Sequence, residues 1–227
     1  MQVWSAIPAA LTLAVVASAQ TPHESPTLVL PISAVPLSVE KIEKYISKSP
    51  DGTSVTGISK SKYYRDAAGR TRTEVEEANA VDGILRGILL DNPIDGFIAV
   101  LEPRTKLAHR VKFPKGSSAD GWGIGAGPNG LVGVTGKTTR KTEDLGKQTI
   151  EGIEFEGART TTTSDEQPSL VAVDELWMSK ELGLIGLLKH SGPDSEMTSR
   201  IQNVDRTAPD PALFVIPADY RIRDIEQ

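Results

Sequence analysis

Residues 83–113 read GILRGILLDNPIDGFIAVLEPRTKLAHRVKF, and this stretch decides the fold class because it parses as three consecutive strands joined by two tight turns. The first two runs, Ile84 to Leu90 and Phe97 to Leu101, are almost continuously apolar, the pattern of strands covered on both faces at the centre of a sheet. In the third run Leu107, His109, Val111 and Phe113 alternate with Lys106, Ala108, Arg110 and Lys112, which places one face inward and the other in water. Pro93 and Pro103 set φ for their turns, and Gly96 supplies the positive φ that closes the first loop.

Working outward, Ser54 to Arg65 and Arg70 to Glu77 flank Asp66-Ala67-Ala68-Gly69. There the Asp66 carboxylate caps a turn and Gly69 takes the left-handed position of a bulged hairpin. Leu37 to Ser47 fits a helical stripe through Val39, Ile42, Tyr45 and Ile46, yet it runs straight into the turn signal Ser49-Pro50-Asp51-Gly52; it is read as a strand. Downstream, Lys137 to Asp144 and Gln148 to Thr163 form a pair turning at Leu145-Gly146-Lys147. Leu170 to Met178 pairs with Leu184 to His190, and Met197 to Arg206 returns after a turn at Gly192-Pro193-Asp194. Asp210 caps one helical turn that begins at Pro211. The expected architecture is mainly β: a single antiparallel curved sheet or half-barrel meander, residues 32–227, with little helix.

Residues 1–19 form a short apolar run ending in Ala17-Ser18-Ala19, which predicts an export signal cut before Gln20 and a periplasmic or extracellular product. Residues 20–31 are a proline-bearing tether. Residues 116–136 hold eight glycines in 21 positions and read as a mobile flap over one end of the sheet or, in preference, a disordered insertion, since glycine-rich chain is costly to order.

The chain has 227 residues and no cysteine, so it has no disulfide, no thiolate nucleophile or metal ligand, and no lipid-bearing N-terminal cysteine. Its 25 Lys and Arg are interspersed with 30 Asp and Glu, which argues against nucleic acid as a partner. Gly125-Ala126-Gly127-Pro128-Asn129-Gly130 matches a dinucleotide fingerprint by letters only, because Pro128 and the lack of a following amphipathic helix leave no helix N-terminus for a pyrophosphate. Gly136-Lys137-Thr138 resembles the end of a phosphate loop, but Leu131 stands where that spacing requires Gly. No nucleotide, cofactor or metal is therefore expected. The three histidines, His23, His109 and His190, have no metal-ligand spacing, and no GxSxG elbow occurs. His109 reads first as a hydrogen-bonded core residue. The charges of Arg65, Asp66, Arg70, Arg72 and Glu74 read as cross-strand pairs rather than an anion site.

Four segments, YYRDAAGRTRTE, LEPRTKLAHRV, LGKQTIEGIEFEGARTTTT and RIQNVDRTAPDPALFVIPADY, resemble uncharacterised secreted proteins of soil acidobacteria. Those are similar in layout to the periplasmic lipoprotein carrier of the Lol system, an open half-barrel with an apolar cavity. The resemblance implies a half-barrel and lipid binding. The departure is that the carrier covers its cavity with helices, whereas this chain shows hardly any helical signal.

The resulting expectation is a non-enzymatic exported binding protein that holds a lipid or other apolar molecule in the concave sheet face, lined by Leu107, His109, Val111, Phe155 and Trp177. Mid-sized inward residues interspersed with Ala99, Gly157 and Gly186 are expected to leave room for the guest. The alternatives are an envelope sensor or protein-interaction module with a filled core, and, third, a hydrolase assembled from residues distant in sequence.

Overall fold

The computed structural model describes residues 35–49, 51–79, 83–115 and 137–226. The expected export signal and tether and the glycine-rich residues 116–136 lie outside them. Twelve strands follow in chain order: β1 (Leu37–Lys48), β2 (Ser54–Arg65), β3 (Thr71–Asn79), β4 (Gly83–Asn92), β5 (Phe97–Glu102), β6 (Leu107–Lys112), β7 (Thr138–Ile150), β8 (Ile153–Ser164), β9 (Val171–Ser179), β10 (Leu184–Ser191), β11 (Ser195–Asp205) and β12 (Arg221–Asp224). They form one open curved sheet in the order β12-β6-β5-β4-β3-β2-β1-β11-β10-β9-β8-β7, not closed into a barrel. All ladders are antiparallel except that of β12 with β6.

Two meanders, β1 to β6 and β7 to β11, are joined by the pairing of β1 with β11, so those two strands occupy the middle. The apolar run 83–113, expected at the centre, instead fills β4 to β6 near one edge. One face of this run packs on the C-terminal segment, and a continuous apolar run does not by itself report a strand's place in the sheet order. Leu37 to Ser47 is a strand, as expected.

The hairpin of β2 and β3 closes as its sequence requires. Asp66 Oδ1 accepts the Ala68 and Arg70 amides at 2.9 Å each, Oδ2 accepts Arg70 Nε at 2.6 Å, and Gly69 has φ +80°. Gly96 also has positive φ, +72°. The expected turn at Leu145-Gly146-Lys147 is not a turn. β7 runs through it with a bulge between Asp144 and Gly146, and the chain reverses at Glu151-Gly152, both at positive φ. A glycine in the left-handed region serves a bulge as well as a turn, so the letters alone do not separate the two.

The core is divided. One cluster gathers Leu37, Val39, Ile153, Phe155, Trp177, Leu182, Leu184 and Ile201. A second gathers Leu90, Phe97, Ala99, Leu101 and Ala108, with Ile216 and Tyr220 from the C-terminal segment packed on it. In β8 the buried positions change parity: Ile153, Phe155 and Gly157 at its start, then Thr162 and Ser164 at its end. By the two-residue period these point to opposite faces, so the sheet is covered on different sides along its length, as a strongly twisted sheet permits.

The C-terminal segment is a fixed part of this packing. Asp210 Oδ1 accepts the Ala212 amide at 2.9 Å and starts a single 3-10 turn, Pro211–Phe214, as expected. Phe214 is buried, with the Arg70 guanidinium 5.3 Å from its ring centroid, and Arg72 donates to Leu213 O at 3.0 Å. The chain then adds β12, which the sequence reading lacked. Its four residues Arg-Ile-Arg-Asp carry no usable period. The strand is held by Asp224, which accepts Arg110 at 2.7 and 3.1 Å and Lys112 at 2.9 Å. Those two cations hold the Asp224 carboxyl well down, at about 2.

Candidate functional site

The register of β2 to β6 defines two faces. On one, Leu90 stands opposite Ala99, and Leu101 opposite Ala108; this is the face sealed by the C-terminal segment. On the other, a row runs Tyr63, Thr73, Leu89, Val100, His109, and beside it run Asp91, Ile98, Val111. Leu107, His109 and Val111 therefore do share a face, and all three are half-buried. His109 is not a sealed core residue: its Nε2 lies 3.3 Å from Glu102 Oε1, with the side chain 27% exposed.

Three observations distinguish this second face. Among the described residues the Thr73 and Ser61 hydroxyls are buried with no hydrogen-bond partner, a costly condition for a polar group away from water. Ser61 pairs with Val75, which pairs with Gly87. At Gly87 an added Cβ would meet nothing within 4 Å among the described residues. The surface thus has room at Gly87, one strand over from Thr73 and two strands over from Ser61.

Phe155 and Trp177 are elsewhere. Seven strands separate β6 from β9 in the sheet order, and the cluster that holds both rings does not include Leu107, His109 or Val111. Nor do the two glycines near them leave space. A Cβ on Gly157 would lie 2.6 Å from the Trp177 ring, and one on Gly186 would lie 2.4 Å from the Phe155 ring. The glycines are seats for the aromatic rings. Large side chains laid over cross-strand glycines fill a core with few aromatics, which overturns the expectation that Gly157 and Gly186 mark vacant volume. Trp177 Nε1–H also donates to Glu175 Oε1 at 2.9 Å. With that bond first, and those from Lys189 and Arg159, the Glu175 carboxyl is pulled down to about 2.

Two polar constellations escaped the sequence reading. At the hairpin of β10 and β11, His190 Nδ1 is 2.7 Å from Asp174 Oδ1 and Nε2 is 3.2 Å from Ser195 Oγ. Asp174 and His190 are cross-strand partners, a relation that follows from pairing register and leaves no motif in the chain. The order of a nucleophile, base and orienting carboxylate is present. An acyl-transfer site also needs donors for the oxyanion. The nearby Gly192 and Lys48 amides are already given to Ser195 O at 2.7 Å and Asp194 O at 2.8 Å. The trio links β9, β10 and the start of β11.

The second lies at the bulge where β1 meets β11. Ser38, Val39, Glu40, Lys62, Tyr64 and Asn203 line a small cleft of about 110 Å³. Glu40 Oε2 accepts Asn203 Nδ2 at 2.8 Å and Gln202 Nε2 at 3.3 Å, which lowers its pKa, with Lys62 a smaller cause. Lys62 Nζ lies 3.6 Å from Glu40 Oε1, so the one carboxylate is shared by three donors.

Among the described residues no cluster of His, Asp or Glu has the arrangement of a metal site, and no helix is long and apolar enough to cross a membrane. No protein-family model matches this chain, and no curated protein matches it. Solved structures do, distantly. A chain of the MucA/MucB complex of Pseudomonas aeruginosa superposes with TM-score 0.40 at 12% identity over 85% of this chain and 60% of that one, so the present chain spans about three fifths of its length. A LolA superfamily protein from Nitrosomonas europaea gives 0.34 at 8% identity, covering 82% and 96% of the two chains. The lipoprotein LppX of Mycobacterium tuberculosis gives 0.33 at 11%, covering 76% and 88%. Likeness at this level says nothing about what the present chain binds.

Proposed function

We propose that this chain is an exported, non-enzymatic binding protein that takes up a lipid or other apolar molecule on the face of β2 to β6 bearing Leu89, Ile98, Val100, Leu107, His109 and Val111. The observation that carries the reading is the open space at Gly87 beside the unpartnered hydroxyls of Ser61 and Thr73. A guest with an apolar body would cover the half-buried Leu89, Val100, Leu107, His109 and Val111, and its polar end would draw the Ser61 and Thr73 hydroxyls out to a partner. The opposite face is occupied by the chain's own C-terminal segment, which leaves this face as the acceptor. Phe155 and Trp177, offered by the sequence as lining, support the site only as part of the packed core.

The test is titration of the purified protein with a fluorescent fatty acid, in wild type and in Gly87→Leu. A leucine at that position projects into the vacant space. Saturable binding that the substitution reduces at least tenfold, with melting unchanged, supports the reading; no binding by wild type, or equal binding by the variant, refutes it. Export carries its own test. Intact mass of protein recovered from the envelope fraction should begin at Gln20, and a species beginning at Met1 counts against cleavage.

A further inference from the structure

Among the described residues β7 is the outermost strand on the side of the sheet away from β12. Thirteen residues long, it is exposed from Thr139 to Asp144. The phase of its backbone is set by one bond: Asp165 N donates to Lys137 O at 2.9 Å, in line with the pairing of Thr138 with Ser164 and Thr139 with Thr163. In an antiparallel ladder the bonded positions alternate. Lys137, Thr139, Lys141 and Glu143 therefore turn their N–H and C=O groups to β8, and Arg140, Thr142 and Asp144 turn theirs outward. Such an edge is a template for another strand.

The sequence along this edge is Arg140-Lys141-Thr142-Glu143-Asp144, two cations, a threonine and two anions. Its charges invert about Thr142. We propose that two copies of this chain associate through β7, antiparallel, with the twofold axis at Thr142. Arg140 then lies opposite Asp144 of the second copy in a hydrogen-bonded pair, Thr142 opposite Thr142, and Lys141 opposite Glu143 in the closer non-bonded pair. The outward backbone groups are those of the even-numbered residues, and this register pairs even with even. Sliding the second copy by two residues also matches backbone groups, but it places Lys141 against Lys141 or Glu143 against Glu143. Charges on an edge strand usually forbid pairing outright; here they forbid the neighbouring registers and favour one.

The side chains involved are exposed; Asp144 gives Oδ1 to the Gly146 amide at 2.7 Å and Thr142 Oγ1 lies 3.2 Å from Thr160 Oγ1, so Arg140 of the second copy would meet Asp144 through Oδ2. Lys141 is 76% and Glu143 45% exposed, bridged to each other at 2.9 Å in the single chain. In the pair, two such bridges stand side by side with opposite signs adjacent. Beyond Asp144 the bulge bends the strand away, so the contact is short and the dimer is reversible rather than permanent.

Sedimentation velocity across a concentration series tests this on the full exported chain. The expected result is a rise of the average mass from one copy toward two, reversed by high salt because the pairs are exposed. Thr142→Pro removes only an outward N–H and should raise the dimer Kd at least tenfold with the β7–β8 ladder intact. Lys141→Glu, which sets like charges opposite each other, should do the same, and Lys141→Glu with Glu143→Lys should restore association. Each variant is checked for unaltered melting. A wild type that stays monomeric up to about 1 mM, a Thr142→Pro variant that dimerises normally, or a double exchange no better than the single one overturns the proposal.

Discussion

Substituting Gly157 by alanine should destabilise this protein, although an alanine in the middle of a strand is normally the better residue. A Cβ at position 157 would lie 2.6 to 2.7 Å from three atoms of the Trp177 ring, roughly 0.8 Å short of an ordinary carbon contact. The ring cannot retreat freely. It is 8% exposed, belongs to the cluster with Phe155 and Leu184, and is tethered through Nε1 to Glu175. Overpacking of this kind costs about 1–3 kcal/mol, against a gain of about 0.5–1 kcal/mol from removing a strand glycine, for a net loss centred on about 1 kcal/mol. Gly87 is the internal control, since a Cβ there meets nothing within 4 Å among the described residues, and Gly87→Ala should raise stability by about 0.5–1 kcal/mol. Urea unfolding followed by tryptophan fluorescence gives both values if the slopes agree. A Gly157→Ala midpoint at or above that of wild type would refute the view that this glycine is a seat for the indole.

Three further outcomes follow from the same geometry. Gly69 sits at φ +80°, so Gly69→Val should lower stability by more than about 1 kcal/mol, and an unchanged denaturation midpoint would contradict the turn. Glu175 has its pKa depressed from 4.5 to about 2, so its contribution is fully present above about pH 4.5 and is lost as pH falls through about 2. The stability difference between wild type and Glu175→Gln should be about 2 kcal/mol at neutral pH, discounted for its half-exposed cation partners. It should narrow between pH 4.5 and 2; a difference independent of pH would dismiss the ion network. Phe214→Ala should cost about 3–5 kcal/mol, because that ring is 1% exposed under the Arg70 guanidinium. A small effect would mean that the C-terminal segment is an appendage rather than a seal.

Strand content, most hairpins and the helical turn after Asp210 were legible in the chain because each rests on local chemistry. Asp66 and Gly69 act within four residues of one another, and alternation in Leu107 to Phe113 assigns Leu107, His109 and Val111 to one face without reference to any other strand. Registers across the sheet are a different matter. Whether Gly146 bends a strand or ends it depends on which residues of β8 are available to pair, and the chain resolves this at Glu151-Gly152. Gly157 and Gly186 looked like gaps because a sequence lists volumes without neighbours; the rings of Trp177 and Phe155 fill them from an adjacent strand and from two strands away. The triad-like contact of Asp174, His190 and Ser195, the parallel addition of β12 to β6, and the place of β1 beside β11 all join residues through non-local pairing. What the amino-acid order by itself determined was therefore each strand's inward and outward sides and the chemistry of its turns. Only the tertiary structure decided which strands became neighbours, which face the C-terminal segment took, and that β7 was left at the edge, since those outcomes depend on contacts between residues far apart in the chain.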